Sequence, residues 1–197
     1  MIKTTAMLKE ELKDYKAPSN KILNMVKNEE LFPIVRGLYE TDNSTLGYLL
    51  AASIYNPSYL SFDFALSFYG LIPEAVYTFT SATFNKNRKR KFNTPFGNFM
   101  YRDVPKDVYP LGIKVMHEGD YSFLIAEKEK AICDKLYSLS PKASIKDLEN
   151  TLFNELRIDE SEFNNLNKEK LIEYAKLYNS TNLKFLTKIL KRGNWWL

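Results

Sequence analysis

At 197 residues the chain is long enough for one large or two small domains. Its 45% apolar and 26% charged residues are ordinary for a soluble globular protein, and a single cysteine, Cys133, excludes an intrachain disulfide and suits a reducing cytosol. The opening Met1-Ile2-Lys3-Thr4-Thr5 has no apolar secretory core, and no run nears the roughly 18 apolar residues of a membrane helix, so a cytoplasmic protein without a membrane partner is expected.

The net charge of +4 is unevenly spread. Residues 1–42 balance to zero, whereas 43–140 and 141–197 each carry a small basic excess. Such a balance permits nucleic-acid binding without demanding it. With 13 Tyr, 13 Phe and 2 Trp, well-filled cores are expected, and no repeat or low-complexity tract appears.

In chain order, Met7, Leu8, Leu12 and Tyr15 predict a helix over 2–15. Lys16-Ala17 breaks it, and Pro18, tolerated in a first turn, opens a second helix over 18–29. That helix buries Ile22, Leu23 and Val26 and presents Ser19, Asn20, Lys21, Asn24 and Lys27. Leu31 to Glu40 reads as a β-hairpin with Arg36-Gly37 at its tip. Helix, turn, helix and hairpin is the layout of a winged helix-turn-helix, here trimmed to two helices where three are usual. Its second helix would enter a major groove, where Asn pairs with adenine edges and Lys or Ser with phosphate oxygens, while Arg36 reaches the backbone or minor groove. A helical hairpin with solvated polar faces fits the spacing equally well. Asp42-Asn43-Ser44 is a polar joint, which divides the chain into 1–42 and 43–197.

A helix beginning at Ser44, with Leu46, Leu49, Leu50 and Ser53 in phase, ends near Asn56-Pro57. Tyr59-Leu60 is a short strand, and Ser61 is placed to cap a helix carrying Phe62, Ala65, Leu66 and Tyr69. Gly70 and Pro73 stop that helix, and the β-branched and aromatic stretch 75–83 makes a strand. Next comes Lys86-Asn87-Arg88-Lys89-Arg90-Lys91, five basic residues in six. It is either a solvated loop or a phosphate-contacting patch that displaces counterions from nucleic acid. A hairpin follows over 92–101, turning at Thr94-Pro95-Phe96-Gly97 in type I fashion, and then strands 113–116 and 121–125 joined by Glu118-Gly119-Asp120. Ala126 to Leu139 reads as a helix with Ala131, Ile132, Leu136 and Leu139 inward and Lys128, Lys130 and Asp134 outward.

The remainder is helical: 144–156 capped by Ser144, a start at Asp159 with Glu162, and 168–178 capped by Asn167. Leu171, Ala175 and Tyr178 share one face; Leu183, Leu186 and Leu190 share another, closed by Lys191-Arg192 and Gly193. Trp195-Trp196 either tucks into a groove or contacts a partner. The fold class is therefore α+β: the winged head, an α/β core over 43–140, and a helical tail over 141–197.

Enzyme chemistry finds no support. His117 is alone beside a turn, Cys133 lies mid-helix without a partner histidine, and no metal-ligand spacing or phosphate-cradling glycine motif occurs. Asp103 and Asp107, either side of a proline, suit a solvated pair better than acid–base work. No catalytic residue, metal or cofactor is expected.

Several blocks are more specific than propensity. Ser61-x3-Ala65-Leu66-x2-Tyr69-Gly70-Leu71-Ile72-Pro73 with Thr80-Ser81-Ala82-Thr83, the Arg-Gly-x-Tyr hairpin ending, Thr94-x2-Gly97-x-Phe99-x-Tyr101, and Ala126-x2-Glu129-Lys130-Ala131-x2-Asp134-Lys135-Leu136-Tyr137 stand in order across about 31–139. Together they resemble the AbiEi family, antitoxins of bacterial type IV toxin–antitoxin systems that also act as transcriptional regulators. The resemblance implies an antitoxin that counteracts a nucleotidyltransferase-like toxin, without needing a stable complex, and that binds promoter DNA to repress its own operon. A stand-alone regulator with no toxin partner is the first rival reading, and a nucleotide-handling enzyme is the second. Winged helices often work in pairs, yet no dimer surface is legible, so a monomer or pairing on DNA is expected.

Overall fold

A computed structural model of the chain describes residues 1–192. Its N-terminal segment runs β1 (Ile2–Thr4), α1 (Thr5–Glu11), α2 (Pro18–Lys27), β2 (Phe32–Val35) and β3 (Leu38–Glu40), with the strands antiparallel in the order β1-β3-β2. Residues 2–15 are thus not one helix. Ile2–Thr4 is drawn into the free edge of β3, Ile2 opposite Glu40 and Thr4 opposite Leu38. The helix starts only where the Thr4 hydroxyl accepts the Met7 amide at 3.2 Å.

Leu8, Ile22 and Leu31 form a small core of their own, with Leu12, Met25, Val26 and Tyr39 packed around it. Leu23 is not part of it and stands 59% exposed. The inner side of α2 is set by Ile22, Met25 and Val26, and position 23 lies one i,i+4 step from Ser19 and Lys27 on the opposite side.

Ile34 and Leu38 join the main core of the body. The buried Glu40 carboxylate accepts from Tyr121 Oη at 2.8 Å, from the Thr41 amide at 2.8 Å and from the Met1 ammonium. Burial alone would raise this carboxyl, but the hydrogen bonds from the ammonium and Tyr121 outweigh it and hold it below its usual range. Stability from such a group is complete above the unfolded pKa and is lost as pH falls through the lower folded value. Glu40→Gln should therefore flatten the acid limb of stability below about pH 4.3, read from urea midpoints against pH.

The body continues as α3 (Ala51–Ile54), β4 (Tyr59–Leu60), α4 (Phe62–Phe68), β5 (Thr78–Thr83), β6 (Arg90–Thr94), β7 (Gly97–Asp103), β8 (Ile113–Glu118), β9 (Tyr121–Ala126) and α5 (Lys128–Ser138). Helices α6 (Ile145–Asn150), α7 (Glu160–Asn164), α8 (Lys168–Leu177) and α9 (Thr181–Lys191) complete the described residues. The body strands form a mixed six-stranded sheet, β6-β7-β5-β4-β9-β8, in which β5 runs parallel to β7 and β4 parallel to β9. The fold is α+β, with α5 packed against α4, α8 and α9.

Local expectations shift where distant groups intervene. The helix expected from Ser44 is a 3-10 turn over Gly47–Leu50 followed by the single turn of α3. At Gly47 a Cβ would lie 2.1 Å from the Phe96 carbonyl oxygen and 2.3 Å from the Phe79 ring, so backbone and ring close over a bare glycine. Strand β5 begins at Thr78 rather than at 75, because its partner β7 starts at the turn after Phe96. Segment 144–156 is α6, capped by Ser144, and then a π-helical stretch, Thr151–Glu155. Asp159 and Asn167 cap α7 and α8 as their positions predict. Gly193 and Trp195-Trp196 lie outside the described residues.

Ser61 stands at the N-cap of α4, yet its hydroxyl does not cap. Thr80 Oγ1 accepts the Phe64 amide at 3.0 Å and donates to the Ser61 carbonyl at 2.6 Å, serving as the cap from across the sheet. The Ser61 hydroxyl donates instead to Asp134 Oδ2 at 2.7 Å. Gly70, at φ +69°, ends α4 with paired bonds from Gly70 to Ser67 and from Leu71 to Leu66.

Lys130 and Asp134 do not face outward; both are fully buried. Asp134 Oδ1 accepts from Lys130 Nζ at 3.0 Å and from Tyr178 Oη, while Oδ2 accepts from Tyr59 Oη at 2.9 Å and from Ser61. Lys130 Nζ also donates to Tyr178 Oη and lies 4.9 Å and 5.7 Å from the ring centroids of Tyr178 and Tyr59. Asp134→Ala leaves a buried ammonium without its counter-charge and should cost about 3–5 kcal/mol in urea unfolding. The double variant Lys130→Met/Asp134→Leu should recover the part of that loss due to the stranded ammonium. It should not recover the part due to Tyr59, Ser61 and Tyr178, which lose their acceptor in both variants. A double variant no better than Asp134→Ala alone would contradict this account.

Candidate nucleic-acid interface

Helix α2 begins with Pro18 in its first turn and contains no acidic residue. Ser19, Leu23 and Lys27 follow at i,i+4 steps, with Asn20 and Asn24 beside them, so five exposed side chains form one stripe. Lys21 leans off the stripe, half-buried, its Nζ 5.9 Å from the Tyr15 ring centroid. The β2–β3 hairpin closes at Arg36-Gly37, where Gly37 takes φ +84° and Arg36 is exposed. Leu23 is the stripe member that sequence reasoning placed in the core. The readable signal was its phase with Ser19 and Lys27, which outweighed its hydrophobicity.

The basic run occupies the β5–β6 loop and the first residues of β6, so the hairpin starts at Arg90 rather than at 92. Strand β6 is an outer strand of the large sheet, and β2 of the head packs near it. Lys86 is not free: its Nζ donates to the Asn56 carbonyl at 3.0 Å and sits 5.1 Å from the Tyr55 ring centroid. Arg90 is half-buried opposite Tyr101, whereas Arg88, Lys89 and Lys91 are exposed.

The loop is clamped by Asp103. Its Oδ2 accepts the amides of Lys86 at 2.8 Å and Asn87 at 2.6 Å, and its Oδ1 accepts the Thr83 hydroxyl at 2.6 Å. Asp107 is exposed on the following turn and takes no part. A carboxylate expected to be merely solvated thus shapes the basic run, a role hidden because its partners lie in another strand's loop.

His117 lies on β8 with Nδ1 2.9 Å from the Ser122 hydroxyl. Cys133 is buried, and desolvation pushes its thiol well above the usual range. Among the described residues no cluster of His, Cys, Asp or Glu is arranged to hold a metal ion, and no helix is long and apolar enough to cross a membrane.

No family model matches the chain, and no curated protein is significantly similar to it. Many residues of the sequence blocks between 61 and 137 do structural work. Ser61, Lys130 and Asp134 meet in the buried network, Gly70 ends α4, Gly97 at φ +118° lies under the Phe79 ring, and Tyr101 Oη donates to the Ala51 carbonyl at 2.7 Å.

Asp103→Ala should unlock the basic loop. Hydrogen bonds to a charged group are worth about 1.5–3 kcal/mol, so exchange of the Lys86 and Asn87 amides should quicken by roughly 10–100-fold. Unchanged protection at these two amides would mean that Asp103 does not hold the loop.

Proposed function

We propose that the chain is a DNA-binding antitoxin of the AbiEi type, which represses its own promoter and counteracts a nucleotidyltransferase-like toxin. The observation that carries the DNA-binding half is the stripe on α2. Ser19, Asn20, Leu23, Asn24 and Lys27 stand together in solvent, free of acidic neighbours on the helix, on a helix packed over its own small core.

The order β1-α1-α2-β2-β3, with β1 pairing to β3, supports reading the head as a winged helix lacking its customary first helix. On this reading α2 enters the major groove, where Asn20 and Asn24 pair with adenine edges and Leu23 packs on a thymine methyl. Lys21 and Lys27 reach phosphates, Arg36 rests on the backbone, and Arg88, Lys89 and Lys91 add contacts that carry no sequence information. Lys86 and Arg90 contribute positive potential from more enclosed positions. The toxin-directed half of the proposal rests on the resemblance, as does the expectation that the body performs no catalysis.

Titration of a labelled promoter fragment tests the DNA half. Replacing Lys21, Asn24 and Arg36 together by Ala should weaken specific binding by at least about tenfold, at roughly 1–3 kcal/mol for each good base contact. Replacing Lys86 to Lys91 by Gln should weaken binding to all sequences alike. With roughly 6–10 phosphate contacts, affinity should fall about 10³–10⁵-fold between 50 and 200 mM salt. Equal affinity in the triple variant, or a flat salt response, would defeat the assignment. Growth of cells co-expressing the neighbouring gene with and without this chain tests the antitoxin half.

A further inference from the structure

A cleft of about 670 Å³ lies between the basic loop, the end of α5 and the start of α9. Its walls differ in chemistry. On one side stand Arg88 and Lys89 from the loop and Arg102 from β7. None of these three forms an ion pair among the described residues, and the Arg102 guanidinium donates only to the Met100 thioether, at 3.3 Å. The single carboxylate in the lining, Asp103, accepts from Thr83 and from the amides of Lys86 and Asn87 and offsets one of the three cations. On the other side Tyr137, Leu139 and Pro141 make an apolar wall.

Three cations against one carboxylate leave the concavity net positive, which raises the local potential and concentrates anions. The volume is that of small-molecule sites, which span roughly 300–1,000 Å³. A guanidinium offers paired donors that match phosphate oxygens, and a tyrosine face accepts a stacked base. The eleven-residue α9 also opens onto the cleft at Ser180 and Thr181, with no acidic residue in its first turn, so its end adds to the same field.

We propose that this cleft binds the phosphorylated end of a nucleotide, with phosphates against Arg88, Lys89 and Arg102 and the base along Tyr137. The ligand is either a free nucleoside triphosphate or the 5′-phosphorylated end of a nucleic acid. The site goes beyond promoter binding, because Arg102 and Tyr137 take no part in that reading.

Calorimetric titration of the full chain with ATP, GTP, CTP, UTP, pyrophosphate, and a trinucleotide with or without a 5′-phosphate tests the proposal. Saturable heat is expected from at least one nucleotide or from the 5′-phosphorylated trinucleotide but not its 5′-hydroxyl form, and the responding probe names the source. Arg102→Gln and Lys89→Gln should each weaken that binding by about tenfold or more, from the worth of a charge-assisted hydrogen bond. Tyr137→Ala should weaken nucleotide binding and leave pyrophosphate binding unchanged. No saturable heat from any probe, or an affinity indifferent to Arg102→Gln and Lys89→Gln, overturns the assignment. Lys21→Ala with Asn24→Ala should leave these heats intact, so failure here and failure of the promoter reading are separate results.

Discussion

One buried carboxylate organises the body. Asp134 is withdrawn from water, and a withdrawn charge is tolerable only when its lone pairs are filled and a counter-charge is near. Lys130, one turn earlier on α5, supplies the charge; Tyr59, Ser61 and Tyr178 supply the remaining donors. Burial, reinforced by the Asp134 charge, pushes the Tyr59 and Tyr178 phenols well above their usual range, so both remain neutral donors. The arrangement sets the rotation of α5 about its axis, since any other phase would strand an ion in the core. It also decides where the end of α5 presents Tyr137, 5.5 Å from the Tyr178 ring.

The head is anchored differently. Its own core is three buried side chains, too little to hold it alone, and Ile34 and Leu38 share the body's core while Glu40 meets Tyr121. These attachments run through the small sheet and leave the outer side of α2 free. A rigid seat behind an exposed stripe would reduce the ordering cost of the proposed binding to a duplex.

What could be read in advance was what depends on neighbours in the chain. Ser144, Asp159 and Asn167 cap helices whose first turns follow at once, and Gly70 ends α4 by its own backbone freedom. What could not be read depends on distant partners. Lys130 and Asp134 look like an ordinary solvated i,i+4 pair until Tyr59 and Ser61, 75 and 73 positions away from Asp134, are brought against them. Thr80 displaces Ser61 as a cap because β5 crosses beside β4. Ile2–Thr4 becomes a strand only once β3 exists to receive it. The basic run was visible from composition alone, but the cleft beside it was not, since half its lining arrives with α5 and α9.

Strand β6 ends the large sheet, with no strand paired to its outer side among the described residues although β2 packs near it. An unpaired rim of that kind is a template on which another molecule's strand can grow. Lys91 is exposed on this rim and Arg90 half-exposed, with Arg88 and Lys89 just before them, so a second copy approaching through the same rim meets like charge at close range. The cationic segment therefore has a duty owed to colloidal behaviour as well as to any ligand. Erasing it would remove that barrier to self-association.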